Sequence, residues 1–175
     1  MPPTIRLATA DDLPAINDIY NYYVHRSTCT YQLEPDTLEA RQAWFVAHPP
    51  DKYPVTVGEI SSEKNGKEIV AWGSLSRFRE RAAYAPSVEA SIYVRHDLHR
   101  RGIGRLLLVD LIQRAKTIGF HTLLGGVSAD QTASLALQEG LGFQRVAHFK
   151  EVGYKFGRRL DVIFLQLMSI WPLSP

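Results

Sequence analysis

The chain carries one cysteine in 175 residues, Cys29, so no disulfide can close within it and no multi-cysteine zinc site can be built. A lone thiol fits a reducing cytoplasm. No helix dipole or histidine is visibly arranged to lower its pKa, so an inert buried thiol is expected ahead of a nucleophile. No apolar run approaches the ~20 residues needed to cross a bilayer, so no membrane partner is expected. Met1-Pro2-Pro3-Thr4 runs straight into a strand pattern and reads as no signal peptide. An excess of one charge is missing too: 20 Lys+Arg against 18 Asp+Glu leave +2, which gives no support for a nucleic-acid partner. His25, His48, His96, His121 and His148 show no metal-ligand spacing, so no metal is expected. There is no G-x-S-x-G elbow, no internal repeat and no linker.

What is present is an ordinary globular composition, 45% hydrophobic and 10% aromatic, and one domain over 1–175 is expected. A short strand near 5–7 precedes a helix over 12–25, where Leu13, Ile16, Ile19, Tyr20 and Tyr23 recur at helical spacing behind cap oxygens at 9–12. Asp36 or Thr37 can cap a second helix reaching about Ala47 with Trp44 and Phe45 buried, ended by His48-Pro49-Pro50. Strands at 53–60 and 69–76 flank a hairpin turn at 63–67. A charged loop follows to Tyr84, then a strand at 88–94. A long helix at 104–118 is closed by Gly119. Strand 121–127, helix 130–139, strand 143–149, a turn at 154–159 and strand 160–168 complete the order. In this helix Ser128-Ala129-Asp130 is read as the cap. The pattern is α/β (α+β): a mixed, mainly antiparallel twisted sheet of about seven strands flanked by about four helices on both faces.

Two adjoining segments carry the chemistry. Glu89-Ala-Ser-Ile-Tyr-Val94 alternates like a strand. His99-Arg100-Arg101-Gly102-Ile103-Gly104-Arg105 is an Arg/Gly loop opening the long helix. A glycine loop at a helix N-terminus offers unpaired backbone N–H groups and the positive end of the helix dipole to an anion. Three readings compete. The loop can be a mere turn with surface arginines. It can be a nucleoside triphosphate site, but G-x-x-x-x-G-K-[ST] is absent, and Leu107 breaks a dinucleotide G-x-G-x-x-G. Or it holds the pyrophosphate of coenzyme A.

The third reading rests on resemblance. A [Gln/Arg]-x-x-Gly-x-[Gly/Ala] pattern after a strand is that of the GNAT N-acyltransferases, and residues 99–104 resemble it, with His99 in the Gln/Arg place. Other segments are similar to the phosphinothricin and methionine sulfoximine/sulfone N-acetyltransferase group within that family. They are Tyr20-Asn21 to Val24, Ser27 to Tyr31, Glu34-Pro35 and Leu38 to Phe45; then Phe78-Arg79-x-Arg81-x-x-Tyr84 leading to Val88-Glu89; and Val152-Gly153-x-Lys155 through Leu167. The resemblance spans roughly residues 4 to 168 and implies the GNAT fold, acetyl-CoA as cosubstrate without a metal, a small amino-acid-like substrate and a homodimer.

It also implies roles. Glu89 would be the general base for the amine. A carboxylate half-buried at a strand end has a pKa raised toward the working range, whereas a Glu on the solvent face of a strand is the bland alternative. Arg81 and Tyr84, with Arg79, Phe78 and Tyr31, would hold the substrate acid, since a guanidinium binds such a group bidentately. Ile92, Tyr93 and Val94 would face the pantetheine arm, with the backbone N–H of Tyr93 or Val94 polarising the thioester carbonyl. Arg100, Arg101, Gly102, Ile103, Gly104 and Arg105 would hold the pyrophosphate, and Gln131 and Ser134 would line the arm. Relatives often carry Asn where Gln131 stands and His where Gln138 stands; Gln138 cannot transfer a proton. A protein or peptide N-acetyltransferase and a non-catalytic CoA sensor remain open beside this reading.

Overall fold

A computed structural model describes residues 2–62 and 66–168. Its elements are β1 (Thr4–Leu7), α1 (Leu13–Arg26), α2 (Leu38–Val46), β2 (Val55–Ser62), β3 (Gly66–Arg77), β4 (Ser87–Val94), α3 (Ile103–Ile118), β5 (Thr122–Ser128), α4 (Thr132–Glu139), β6 (Gln144–Lys155) and β7 (Arg158–Met168). They form a seven-stranded sheet in the order β1-β2-β3-β4-β5-β7-β6. The β4–β5 pair is parallel and the other neighbouring pairs are antiparallel. This is the mixed sheet the sequence pattern predicts.

The sheet has a helix layer on each face. The apolar stripe of α1 (Leu13, Ile16, Ile19, Tyr23) packs on Val55, Val57 and Trp72. On the other face α3 sets Ile103 and Leu107 against Val70 and Ala71, and Leu108 and Leu111 against Leu75 and Val88. Each such side chain taken out of water contributes about 1.5–3 kcal/mol, which fixes both helices on the strands. Leu135 of α4 joins the α3 side.

Three local expectations are corrected. In α2, capped by Thr37 through the Ala40 N–H (3.1 Å), Trp44 and Phe45 are only half-buried, and the buried residue is Arg41, 3% exposed. Its guanidinium lies over the rings of Tyr20 (4.5 Å) and Trp44 (4.9 Å) and pairs with Asp36 at 2.7 Å, so cation–π contact and an ion pair offset its desolvation. Asp130 does not cap α4; its carboxylate instead accepts from Thr28 (2.7 Å) and from Arg158. The 154–159 turn is tighter than expected. Phe156 (φ 52°) and Gly157 (φ 74°) alone make it, a pair of left-handed residues that suits a two-residue hairpin, and the ladder runs up to Lys155 and Arg158. Of the turn expected at 63–67, residues 63–65 lie outside the described residues, and Gly66 and Lys67 begin β3.

The feature that positions the site is the parallel pair. β4 and β5 are in register at Ser87/Thr122, Val88/Leu123 and Glu89/Leu124, and their pairing stops there. Both strands continue, to Val94 and Ser128, as the walls of an opening.

Candidate active site

Beyond Glu89 the parted strands enclose a cleft. Ala90, Ser91, Ile92 and Tyr93 line one wall and Gly126, Val127 and Ser128 the other; Gln131 just before α4, Ser134 and Gln138 of α4 and Cys29 of the early loop close it. Arg95 donates from its backbone N–H to Val70 at 2.8 Å. Bonding direction alternates along an antiparallel strand, so Tyr93 and Ser91 spend their backbone groups on β3 while Ile92 and Val94 turn theirs to the opening. Of the two expected polarising N–H groups only that of Val94 faces the opening, and it lies at the α3 end beside Gly104, five residues beyond Glu89. The Tyr93 ring packs instead among Tyr20, Trp72 and Tyr23 on the α1 side.

At the outer end of the cleft stands the N-terminus of α3. Gly102 caps it in the left-handed region (φ 78°) with no side-chain cap, so the first-turn N–H groups keep their donors. Ile103 is buried and anchors the turn. Gly104 is where the helix meets β4 and α4. A Cβ there would lie 3.3 Å from Leu137 of α4, 3.6 Å from Ile92 and 3.8 Å from Val94. Arg100 (φ 61°), Arg101 and Arg105 are exposed around this turn, and none makes an ion pair among the described residues. Backbone donors and the helix dipole meet at this turn, with exposed arginines flanking it and Arg101 turned toward a hollow shared with Pro2, Pro3 and Thr4; the amide cradle suits a pyrophosphate.

At the inner end stands Glu89, half-buried. Burial pushes its carboxyl above the usual range; the Gly126 N–H and the Arg79 charge oppose that and do not cancel it. Arg79 lies over the rings of Phe78 (5.1 Å) and Tyr84 (5.9 Å), and these two rings meet edge to face at 6.0 Å. Phe78 also meets Phe164 of β7 at 6.4 Å. Phe78, Arg79 and Tyr84 thus form one cluster beside Glu89. Arg81 is exposed on the same loop and makes no ion pair among the described residues. Arg77, Phe78, Arg79, Glu80, Arg81 and Tyr84 together line a surface hollow.

Tyr31 is held further along. Its hydroxyl bonds Ser128 Oγ (3.1 Å) and the Asp161 carbonyl (3.0 Å), and its ring covers Gly153, where any Cβ would collide with it. The loop carrying Tyr31 and Cys29 is pinned from below. Lys155, 3% exposed, donates to the carbonyls of Ser27 and Thr30, both at 2.8 Å. Gln131 donates to Thr28 (2.8 Å), so part of its hydrogen-bonding capacity ties this loop to α4. Ser134 faces the cleft one turn on.

Several of these residues escape a motif reading. Lys155 looks like a solvated charge in sequence; its place beside Gly153 in the C-terminal signature was the available signal. Tyr23 reads only as part of the core stripe, yet its hydroxyl bonds both the Val94 carbonyl and His99 Nε2, and the two rings stack at 6.0 Å. His99 thereby braces the end of β4. Cys29 reaches the cleft wall, and burial raises its thiol pKa, which keeps it protonated. Among the described residues no cluster of three His, Cys, Asp or Glu is placed to hold a metal ion, and no helix is long and apolar enough to cross a membrane.

A family described as an acetyltransferase (GNAT) domain matches residues 5–164. The L-methionine sulfoximine/L-methionine sulfone acetyltransferase of Pseudomonas paraeruginosa is 38% identical over 167 residues, 95% of either chain. A phosphinothricin acetyltransferase structure from Sinorhizobium meliloti, in complex with acetyl-CoA, superimposes with a TM-score of 0.89 at 32% identity, covering 96% of this chain and 89% of that one. A structure named ribosomal-protein-alanine N-acetyltransferase, from Brucella melitensis, gives 0.88 at 36% identity, covering 95% and 99%. The amide cradle on α3 and the unpaired edges of β4 and β5 fit a coenzyme A thioester. The chain belongs to the GNAT acetyltransferase family and is an acetyl-CoA-dependent N-acetyltransferase.

Proposed function

We propose that the protein acetylates the amine of a small amino acid or amino-acid analogue, with methionine sulfoximine, methionine sulfone and phosphinothricin as the leading substrates and Glu89 as general base. The observation that carries this is Glu89 itself, a half-buried carboxyl of raised pKa where β4 and β5 part, with Arg79 beside it. The names of two relatives, which act on amino-acid analogues, support the substrate class.

Acetyl-CoA, when bound, supplies an acetyl group activated as a thioester. Gly102–Arg105 amides and the surrounding arginines hold its pyrophosphate, and Ile92 offers its backbone groups and Val94 its N–H to the arm. Arg79 and Tyr84, with Arg81 at the rim, hold the substrate acid, and Tyr31 bounds the pocket on the far side. Glu89 takes the proton from the ammonium, directly or through one water, which frees the nitrogen lone pair. The freed amine attacks the thioester carbonyl; the C–N bond forms as the C–S bond breaks, and coenzyme A leaves with the second proton of the amine. Holding both reactants in one cleft supplies much of the rate. No protein nucleophile is needed.

A second reading, acetylation of a protein N-terminus, is favoured by the ribosomal-protein-alanine neighbour. A thiol-release assay decides. The proposal expects turnover with methionine sulfone, methionine sulfoximine or phosphinothricin far above that with alanine-initiated peptides. The reverse order would establish the peptide reading, and absence of thiol release with every amine would favour a non-catalytic CoA sensor.

The same proposal includes a homodimer joined through β6. This strand is one edge of the sheet and exposes Val146 (52%), Phe149 (48%), Val152 (59%) and Tyr154 (67%), with Phe156 (55%) exposed in the turn after it. An unpaired edge strand of twelve residues that exposes several large apolar side chains among its charges is a ready surface for a second copy of the chain. Light scattering should give twice the chain mass, and Val152→Glu with Tyr154→Glu should halve it; a wild-type monomer would refute the dimer. A lone thiol held protonated and a need for acetyl-CoA support a cytoplasmic location.

A further inference from the structure

α4 and the residue that caps it turn one polar stripe to the cleft: Gln131, Ser134 and Gln138, three and four residues apart. Gln131 already bonds Thr28, but Gln138 differs. It is 7% exposed, and its Oε1 has no hydrogen-bond partner among the described residues. A buried acceptor in that condition is costly in a folded protein and calls for a functional explanation.

Its position is set by Gly125. Any Cβ there would collide with the carboxamide, so the amide rests directly on the β5 backbone. Gly125 follows Leu124, the register partner of Glu89, at the level where the two strands part. Acetyl transfer beside Glu89 brings the thioester to that level. The amide of the pantetheine arm nearest the sulfur then passes the Gln138 carboxamide.

We propose that Gln138 is a cofactor-binding residue, its Oε1 accepting a hydrogen bond from the pantetheine amide N–H nearest the thioester. A secondary amide has one N–H to give and a carboxamide oxygen is a neutral acceptor, so the pair is matched without charge. The role is binding and alignment, since a carboxamide cannot exchange a proton at neutral pH. The assignment rests on acetyl-CoA as cosubstrate and is independent of which amine is acetylated.

The test is a binding cycle read by calorimetry. Gln138→Met keeps the length of the side chain and removes the acceptor. Coenzyme A is compared with an analogue in which that one amide is replaced by an ester. The proposal expects Q138M to bind coenzyme A about tenfold more weakly. The ester analogue should bind the wild-type protein more weakly by a similar factor and cost Q138M nothing further. At saturating acetyl-CoA the KM for the amine should not move. Unchanged binding by Q138M, or two losses that simply multiply, would overturn the proposal. Should Q138M fail to fold, Gln138→Leu enters the same cycle, and an ester analogue that binds the wild-type protein as tightly as coenzyme A overturns the idea alone. Failure of acetyl transfer to every amine would remove the substrate proposal and leave this cycle intact.

Discussion

Gly126 and Glu89 face each other across the parting strands: a Cβ on Gly126 would stand 3.2 Å from Glu89 Oε1, and the nearby Gly126 N–H favours the ionised carboxylate against its burial. The same Cβ would be 3.3 Å from Phe164 Cζ, so neither neighbour can yield freely. Gly126→Ala should therefore displace the carboxylate by a few tenths of an ångström. We expect kcat/KM to fall about tenfold, because small misplacements of a reacting group are expensive, while the KM for acetyl-CoA stays within about twofold. Steady-state kinetics with each substrate varied in turn checks this. An unchanged kcat/KM would mean that Glu89 is not positioned by this contact.

Arg79 links the aromatic cluster to the base. Arg79→Ala should raise the KM for the amino-acid substrate about 10- to 100-fold through loss of a charged contact. It also removes a positive charge that favours the ionised carboxylate, so the acidic limb of the pH profile should move to higher pH. An amine KM unchanged in Arg79→Ala and raised in Arg81→Ala would place the acid on Arg81 instead.

The fold was largely legible in the sequence, and the site partly so, for definite reasons. Periodicity located α1 and α3 because Ile16, Ile19, Leu107 and Leu111 repeat at helical spacing and bury one stripe each. It misjudged α2 because a periodicity rule counts Arg41 as polar, while three aromatic faces and Asp36 make its burial tolerable. Glu89 and the 100–105 loop are contiguous with their elements and so were visible as motifs. The Tyr23–His99 and Lys155–loop contacts join residues far apart in the chain, and no local pattern encodes them.

Lys155 is the most exacting of these long-range contacts. Lys155→Met removes a cation that satisfies two carbonyls of the 27–30 loop. The expected cost is about 2–4 kcal/mol of stability, the range for charged hydrogen bonds lost from a buried site. The loop also carries Cys29 to the cleft wall and leads into Tyr31, so KM should rise for both substrates. Chemical denaturation together with kinetics tests both halves. A variant as stable as wild type would show that the loop holds without this strut.

Glu89 should carry a stability signature of its own. Its pKa is raised in the folded protein, so the neutral carboxyl is the better-folded form. The stability tied to that form is complete below the ordinary carboxylate pKa and is lost as pH rises through the raised value. Glu89→Gln is neutral at every pH and escapes the loss. Its melting temperature should exceed wild type by about 2–4 °C at pH 8, with the difference closing toward pH 4. A variant that melts lower at pH 8 would contradict a desolvated carboxylate at this position.

The most direct test of the account is the pH dependence of kcat/KM for wild type and Glu89→Gln with methionine sulfone as acceptor. For wild type the account predicts an acidic limb above the ordinary Glu range, beside the limb of the substrate amine itself at roughly pH 8. For Glu89→Gln it predicts a loss of about 10²- to 10⁴-fold and disappearance of the lower limb, with the amine limb kept. A variant that follows the wild-type profile to within about twofold across the range would show that Glu89 is not the base.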